Sequence, residues 1–406
     1  MTAVTSSIPH PVWRRMRMVL AWVLIVICAG GLARLAWVVL SPPMADRELA
    51  AQVAFLDRAI IDGSATDMQR YFPEGQFFMH ALTGLAATTS NPALAREQLA
   101  AMQEPEIAGR FGEGMSIEHG IFHAGWSLAL AVEIAKATGT APDLAVVRQS
   151  APQVARALIE SPTAVPESYP GGYWPCDAVV AAAAVAQAGE LLQEPELISQ
   201  MRTWRSRITT LLDPQLQLLP HRVDESGATQ EGPRGSSQSL IQAFWAPLSL
   251  ALDGDTDRAS WRAFGEAFIV DVGPLVGVRE YPVGAEGGGD EDSGPLIAGV
   301  SLSASAVTLA AARANGDEAL AADLDREAEL LGAPFQIGGQ RLFAAGLMPI
   351  GDAFVAWARA VPMEQPQAPT NPRVNWWVLA IPGLAGMALG VLLLRSLARS
   401  TGLPRQ

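Results

Sequence analysis

Between residues 46 and 361 the chain alternates two kinds of helical segment, and this alternation restricts the fold more than any other feature. One kind is charged and amphipathic: 46–61 "DRELAAQVAFLDRAII", 92–103, 143–159, 195–212, 256–270 and 317–331. Each sets apolar residues at i, i+3, i+4 and i+7 and leaves a polar face for water. The other kind is apolar on nearly every side and rich in small residues: 76–89, 120–138, 177–193, 237–253, 296–315 and 348–361. A helix that is apolar all round belongs in an interior. Wet and dry helices in strict turn therefore predict six antiparallel hairpins with the dry member inside, an all-α (α/α)6 toroid. An open α-solenoid uses the same alternation. The irregular spacing of the dry segments, and long loops on one side only, favour the closed ring.

Those loops carry the functional signal. Connections from wet to dry helices are long and glycine-rich, as in "ESPTAVPESYPGGYWPC" and "VGPLVGVREYPVGAEGGGDEDSGP", whereas the return connections are as short as "LDGD". Long irregular loops in a compact domain are usually functional. In a ring they converge on one face, a funnel ringed by helix N-termini.

The chain's ends are of a different kind. Residues 18–40 run apolar with Arg34 as the single charge, and 376–394 run without any. Both approach the ~20 residues needed to cross a bilayer. The first is longer than a signal-peptide core and lacks a clean small-x-small cleavage site. Arg14, Arg15 and Arg17 precede the first span, and Arg395, Arg399 and Arg405 follow the second. The positive-inside rule then puts both termini in the cytoplasm. The expected plan is a cytoplasmic stretch 1–17, a transmembrane helix 18–40, an extracytoplasmic toroid 41–372, and a closing segment 373–406 holding the second span and a cytoplasmic tail. The location is the inner or plasma membrane. The outer region carries all 41 acidic residues against 20 basic ones, a net charge of −21, which disfavours nucleic acid and anionic head groups as partners. Cys28 lies in the first span and Cys176 in the toroid, so the two do not pair.

Within the funnel the sequence places Glu74, Glu113, Glu118, His119, His123, Tyr173, Trp174, Cys176, Asp177, Arg234, Glu280, Tyr281, Glu286, Asp290, Glu291, Asp292 and Arg341. Two carboxylates in different surroundings can divide acid and base roles. Asp177 and Asp292 each sit at the expected start of a dry helix and form the best-placed pair; the alternative for Asp177 is a helix cap. The segment "GGGDEDSGP" (287–295) reads as a solvated turn, a substrate-contacting loop or a calcium loop, and its spacing matches no EF-hand. His119 and His123 share a helix face at i, i+4, but "EHGIFH" lacks the order H-E-x-x-H, so a histidine acid or base, or a structural histidine, is favoured over zinc. Tyr173, Trp174, Tyr281 and Trp126 offer a platform for a sugar ring or an isoprenoid chain, or ordinary packing. There is no G-x-S-x-G elbow, which disfavours a serine hydrolase. The second span contains "GLAGMALG", a small-xxx-small spacing suited to helix association. No cofactor and no metal is expected.

With these residues in view, the pattern resembles the six-hairpin toroids of glycoside hydrolases, polysaccharide lyases and the linalool dehydratase-isomerase group. It is most similar to the last, on His123 in "HGIFHAGW" and on "YWPCD" at 173–177. That group works on an allylic alcohol with Asp, Tyr, His and Cys, and it pairs two site cysteines where this domain has Cys176 alone. The resemblance implies that Asp177 or His123 protonates a leaving oxygen while Asp292 or Glu118 takes a proton from carbon or activates water. Catalytic residues are thus expected among Asp177, Asp292, His123, Cys176 and Glu118. Substrate contacts are expected from Tyr173, Trp174, His119, Trp126, Arg234, Tyr281, Glu286 and Asp290. Three functions remain open: an acid–base lyase, isomerase or hydrolase acting on an isoprenoid- or sugar-containing envelope molecule, a glycan-binding module without catalysis, and an envelope assembly protein. The partner is accordingly a small-molecule, lipid-linked or glycan substrate, with the membrane as anchor.

Overall fold

The structure is a computed structural model that describes residues 10–41, 46–364 and 374–399. It divides into two units: a pair of apolar terminal helices grouped with the short turn Gly273–Leu275, and the body formed by the rest of the chain.

In the body, the six dry segments form helices Gly75–Ala87, Gly120–Thr138, Pro175–Leu192, Gly235–Asp253, Leu302–Ala314 and Pro349–Ala360, here the first to sixth inner helices. The wet segments form Asp46–Ile61, Pro92–Met102, Ala141–Glu160, Pro195–Ile208, Arg258–Phe268 and Glu318–Gly332, the first to sixth outer helices. Each inner helix packs against the next, and the sixth packs against the first. That last contact closes the ring and separates it from a solenoid, whose ends never meet.

Composition explains the two layers. The third inner helix, with its "AVVAAAAVA" run, is buried along its first eleven residues and beyond, and its alanines let neighbours approach closely. A Cβ placed on Gly125 of the second inner helix would lie only 2.9 Å from the Ala181 side chain. The fourth outer helix buries Leu197, Met201, Trp204 and Ile208, one stripe at helical spacing, and wets the rest. Side-chain caps start several helices, among them Asn91, Thr140, Asp257, Ser301 and Asp317.

The seam where the ring closes is polar. Gln52 of the first outer helix donates to the Asp352 carbonyl of the sixth inner helix at 2.9 Å. Buried Arg359 binds Asp325 at 2.6 Å, Glu329 at 2.7 Å and Gln52 at 3.3 Å. Arg341 adds a second clamp on Glu329 at 2.6 Å, so its place is this seam.

Two expectations are corrected. The fifth inner helix begins at Leu302 rather than 296, because Gly294, Ala298 and Gly299 adopt positive φ and Val300–Ser301 pairs with Val278–Arg279 as a strand. Short hairpins also occupy the long loops: Arg222–Val223 with Thr229–Glu231, Ile269–Val272 with Leu275–Arg279, and Phe335–Ile337 with Gln340–Leu342.

The terminal unit consists of helices His10–Leu40 and Trp376–Arg399. Both are long and apolar enough to cross a membrane. The third inner helix also meets that criterion, but it is buried inside the ring. The two terminal helices pack antiparallel along a glycine face: Gly383 lies against Leu32, Gly386 against Cys28 and Gly390 against Ile25. A Cβ at Gly383 would come within 2.8 Å of Leu32, so this face allows the close approach its spacing suggested.

Candidate active site

The site is assembled where the inner helices begin, and the segment before the third of them sets its geometry. Ser168 and Gly172 pair through a 2.9 Å backbone bond across a turn in which Gly171 has φ 73°, a conformation suited to glycine. Gly172 has no room for a side chain, because the Trp174 ring occupies the space. Trp174 in turn meets Tyr169 edge-on at 5.5 Å and carries the Arg222 guanidinium over its face at 4.9 Å. Val223 N–H bonds to the Tyr173 carbonyl at 3.1 Å and ties the segment to the next loop. Pro175 then opens the helix, and no side chain caps it.

Asp177 therefore lies inside the first turn without serving as a cap. It is 5% exposed, and the Cys176 Sγ lies 3.6 Å from its Oδ1. Burial pushes its pKa up to about 7, with the charges of Asp292 and Glu74 adding to the rise. Ser168, fully buried, lies near enough to oppose that rise, yet among the described residues its hydroxyl completes no well-aligned hydrogen bond. The same burial, next to Asp177 and Asp292, pushes the Cys176 thiol well above its ordinary value and keeps it protonated.

Tyr169 links these groups. Its hydroxyl donates to Glu74 Oε1 at 2.7 Å, its ring stacks at 5.9 Å on Phe111, and burial together with the charges of Glu74, Asp177 and Asp292 keeps the phenol protonated. Burial likewise raises Glu74. Asp292 completes the group from the 287–295 loop, pushed to about 7 by the protein around it and by Glu74, Asp290 and Glu291, against the pull of Arg234. Its side chain keeps an open surface while protein surrounds it on most sides.

That loop is fastened rather than loose. Arg234 bonds both Asp290 and Glu231 and lies 5.3 Å from the centre of the Tyr281 ring. The Tyr281 hydroxyl donates to the Gly288 carbonyl at 3.0 Å, Ser301 to the Ser293 carbonyl at 2.8 Å, and Ser303 to the Asp292 carbonyl at 2.7 Å. Asp292 thus sits ten residues ahead of the fifth inner helix, and Ser301 is the cap. Glu280, fully buried, accepts from the Ser236 N–H at 3.1 Å and its hydroxyl at 2.9 Å, and burial moves it to about 7. Beside the loop a cavity of about 310 Å³ opens between Tyr71–Phe72 and Gly289–Glu291.

Other expected residues lie elsewhere on this face or beneath it. His123 is buried between Phe77 and Phe111, each ring 5.4 Å away, and its Nε2 lies 3.0 Å from the Met102 carbonyl. That bond assigns the ring proton to Nε2, and burial keeps the imidazole neutral. His119 starts the second inner helix with φ 61°, its Nδ1 3.2 Å from the Gly112 carbonyl. The exposed Glu118 lies 3.8 Å from His119. Trp126 is fully buried in the ring's aromatic core with Phe78, Phe244 and Trp357. Glu286 is exposed in the loop. Among the described residues no group of three or more His, Cys, Asp or Glu is arranged to hold a metal ion.

Sequence reasoning did not single out Tyr169, Ser168 or His221. Only the turn at Tyr169–Gly172 turns that tyrosine, rather than Tyr173, toward the carboxylates. His221 is 5% exposed, its Nδ1 has no hydrogen-bond partner among the described residues, and burial together with Arg234 pushes its pKa down to about 4.

No protein-family profile and no curated protein matches the sequence. Solved structures that resemble it include a glycoside hydrolase of family 105 from C. acetobutylicum, at 12% identity and TM-score 0.46, covering 76% of this chain and 98% of that one. A D-mannose isomerase aligns at 10% identity and TM-score 0.40, covering 76% and 86%. The closed ring rests on its own helix contacts, and the resemblance to linalool dehydratase-isomerase rests on the two short motifs alone.

Proposed function

We propose that the toroid is an acid–base enzyme acting at this site on a sugar-containing molecule, and that the terminal helices anchor it in the membrane with the toroid outside. The observation that supports the catalytic reading is the Tyr169–Glu74 hydrogen bond at 2.7 Å, with the charges of Asp177 and Asp292 near enough to act on the same phenol and both of those carboxyls moved to about 7. Carboxyls that interact in this way share protons as a set, so near neutral pH one is protonated while another is ionised. That is the division of labour a general acid and a general base require.

The protonated carboxyl is assigned to Asp177, the more buried of the pair, which donates to the leaving oxygen. Asp292, the more exposed of the two, takes the proton from water or from carbon. Tyr169 and Glu74 hold their bond as a fixed polar pair beside them. Trp174, Tyr281 and Tyr71 supply ring faces of the kind that pack against sugars. Support for an extracytoplasmic toroid comes from the arginines outside both apolar runs and from the strongly acidic body.

The test is turnover by the full-length protein in detergent on a panel of envelope glycans and lipid-linked sugars, scored by new reducing ends or by proton exchange at sugar carbons. For a substrate so found, Asp177→Asn and Asp292→Asn are each expected to lower kcat by roughly 10²–10⁴-fold with a small change in KM. Wild-type turnover in both variants, or saturable glycan binding with no turnover at all, overturns the enzymatic reading.

A further inference from the structure

The ring has a second mouth. At the C-terminal ends of the inner helices a cavity of about 330 Å³ opens, and all six helices line it, through Leu85, Ala129, Ala184, Ala243, Ala314 and Trp357. Its floor is aromatic. Phe244 and Trp357 stack at 5.9 Å with their planes 20° apart, and Trp126 closes against them at 5.3 and 5.7 Å. Trp126 has no exposed surface, so the floor is sealed behind.

The rim has the opposite character. Lys136 spends its charge on Glu133 at 2.7 Å and on Gln187. The carboxylates of Glu190 and Glu364 line the same cavity and form no ion pair among the described residues. Six helices also end here, and a helix C-terminus presents unsatisfied carbonyls equivalent to a partial negative charge. Walls of methyl groups, a floor of aromatic side chains and a rim whose lining carboxylates, Glu133, Glu190 and Glu364, outnumber its one lining cation, Lys136, fit one kind of molecule. Ring faces attract cations, most strongly where water is excluded.

We propose that this mouth is a binding site for an organic cation with an apolar body, a substituted ammonium, independent of the chemistry at the other face. An anion would meet Glu190, Glu364 and the helix carbonyls, and an uncharged hydrocarbon would gain nothing from them.

The probe is benzyltrimethylammonium chloride, titrated into the full-length protein in a nonionic detergent and followed by calorimetry and tryptophan fluorescence. Saturable binding at one site is expected, quenching or shifting the Trp357 emission. Neopentylbenzene, with carbon in place of the quaternary nitrogen, is expected to bind at least about tenfold more weakly. Ala184→Phe fills the cavity and should abolish binding, with a thermal melt to show that the ring is intact. The double variant Glu190→Gln/Glu364→Gln alters only the rim, leaves the core untouched, and should weaken the cation about tenfold without affecting the isostere. Absence of saturable binding, equal affinity for the isostere, or full affinity in the rim variant overturns the proposal.

Discussion

Asp177 shows what the site costs the fold. Its pKa rises from 3.8 to about 7, so the folded state holds a proton that the unfolded chain has released. Below pH ~4 both states are protonated and the carboxyl has no net effect; between ~4 and ~7 stability falls as pH rises, and above that the penalty is constant. Asp177→Asn removes the penalty. The variant is expected to be more stable than the wild type by on the order of 1–3 kcal/mol at pH 8, with the difference vanishing near pH 4 and activity lost throughout. Urea melts at the two pH values check this, and an equal difference at both would sink it. The sequence pointed to Asp177, Asp292, Arg234 and Asp290 because glycine- and proline-rich loops flank them. It gave no comparable sign for Tyr169, whose role depends on a turn, or for His221, whose burial arises from contacts far along the chain.

Helix starts govern how accurately those side chains are held. Gly120 opens the second inner helix with φ 78°, and a Cβ there would run into the Ser168 carbonyl. The neighbouring Ile121 N–H donates to the Glu167 carbonyl at 2.8 Å, so this helix start carries the segment that presents Tyr169. Gly120→Ala is expected to cost roughly 2–4 kcal/mol, from left-handed strain plus the collision, and to lower turnover as Tyr169 shifts. Gly139→Ala is the control. It has φ 62° but no atom within 4 Å of the added carbon, so it should cost about 1 kcal/mol and leave turnover intact. Equal costs for the two would refute the argument. Most elements were legible because the wet and dry periodicities differ and because proline or a cap begins many helices. The fifth inner helix was not, since the apolar stretch before Leu302 suits strand and helix alike, and left-handed residues at 294, 298 and 299 decide between them.

Ring closure and the proposed anchoring belong to the whole chain, and they differ in how far the sequence discloses them. The count of hairpins was readable, but the seam was not: Gln52 and Arg359 meet across 307 positions, and no local pattern encodes such a contact. The terminal helices are the reverse case, because apolar length and the glycine spacing are local. Their antiparallel packing brings Arg14 within 3.4 Å of the Leu397 carbonyl, so the two outer ends lie together. If these helices span a bilayer, that pairing requires both termini on one side, and the arginines there select the cytoplasm. Two measurements follow from one geometry. Gly386→Cys should form a disulfide with Cys28 under mild oxidation, since the added side chain falls beside that sulfur. Reporters fused to either end should both read cytoplasmic, while protease added outside spheroplasts degrades residues 46–364. Release of the protein by carbonate washing, or termini on opposite sides, would refute the anchor, and failure to crosslink would refute the glycine seam on its own.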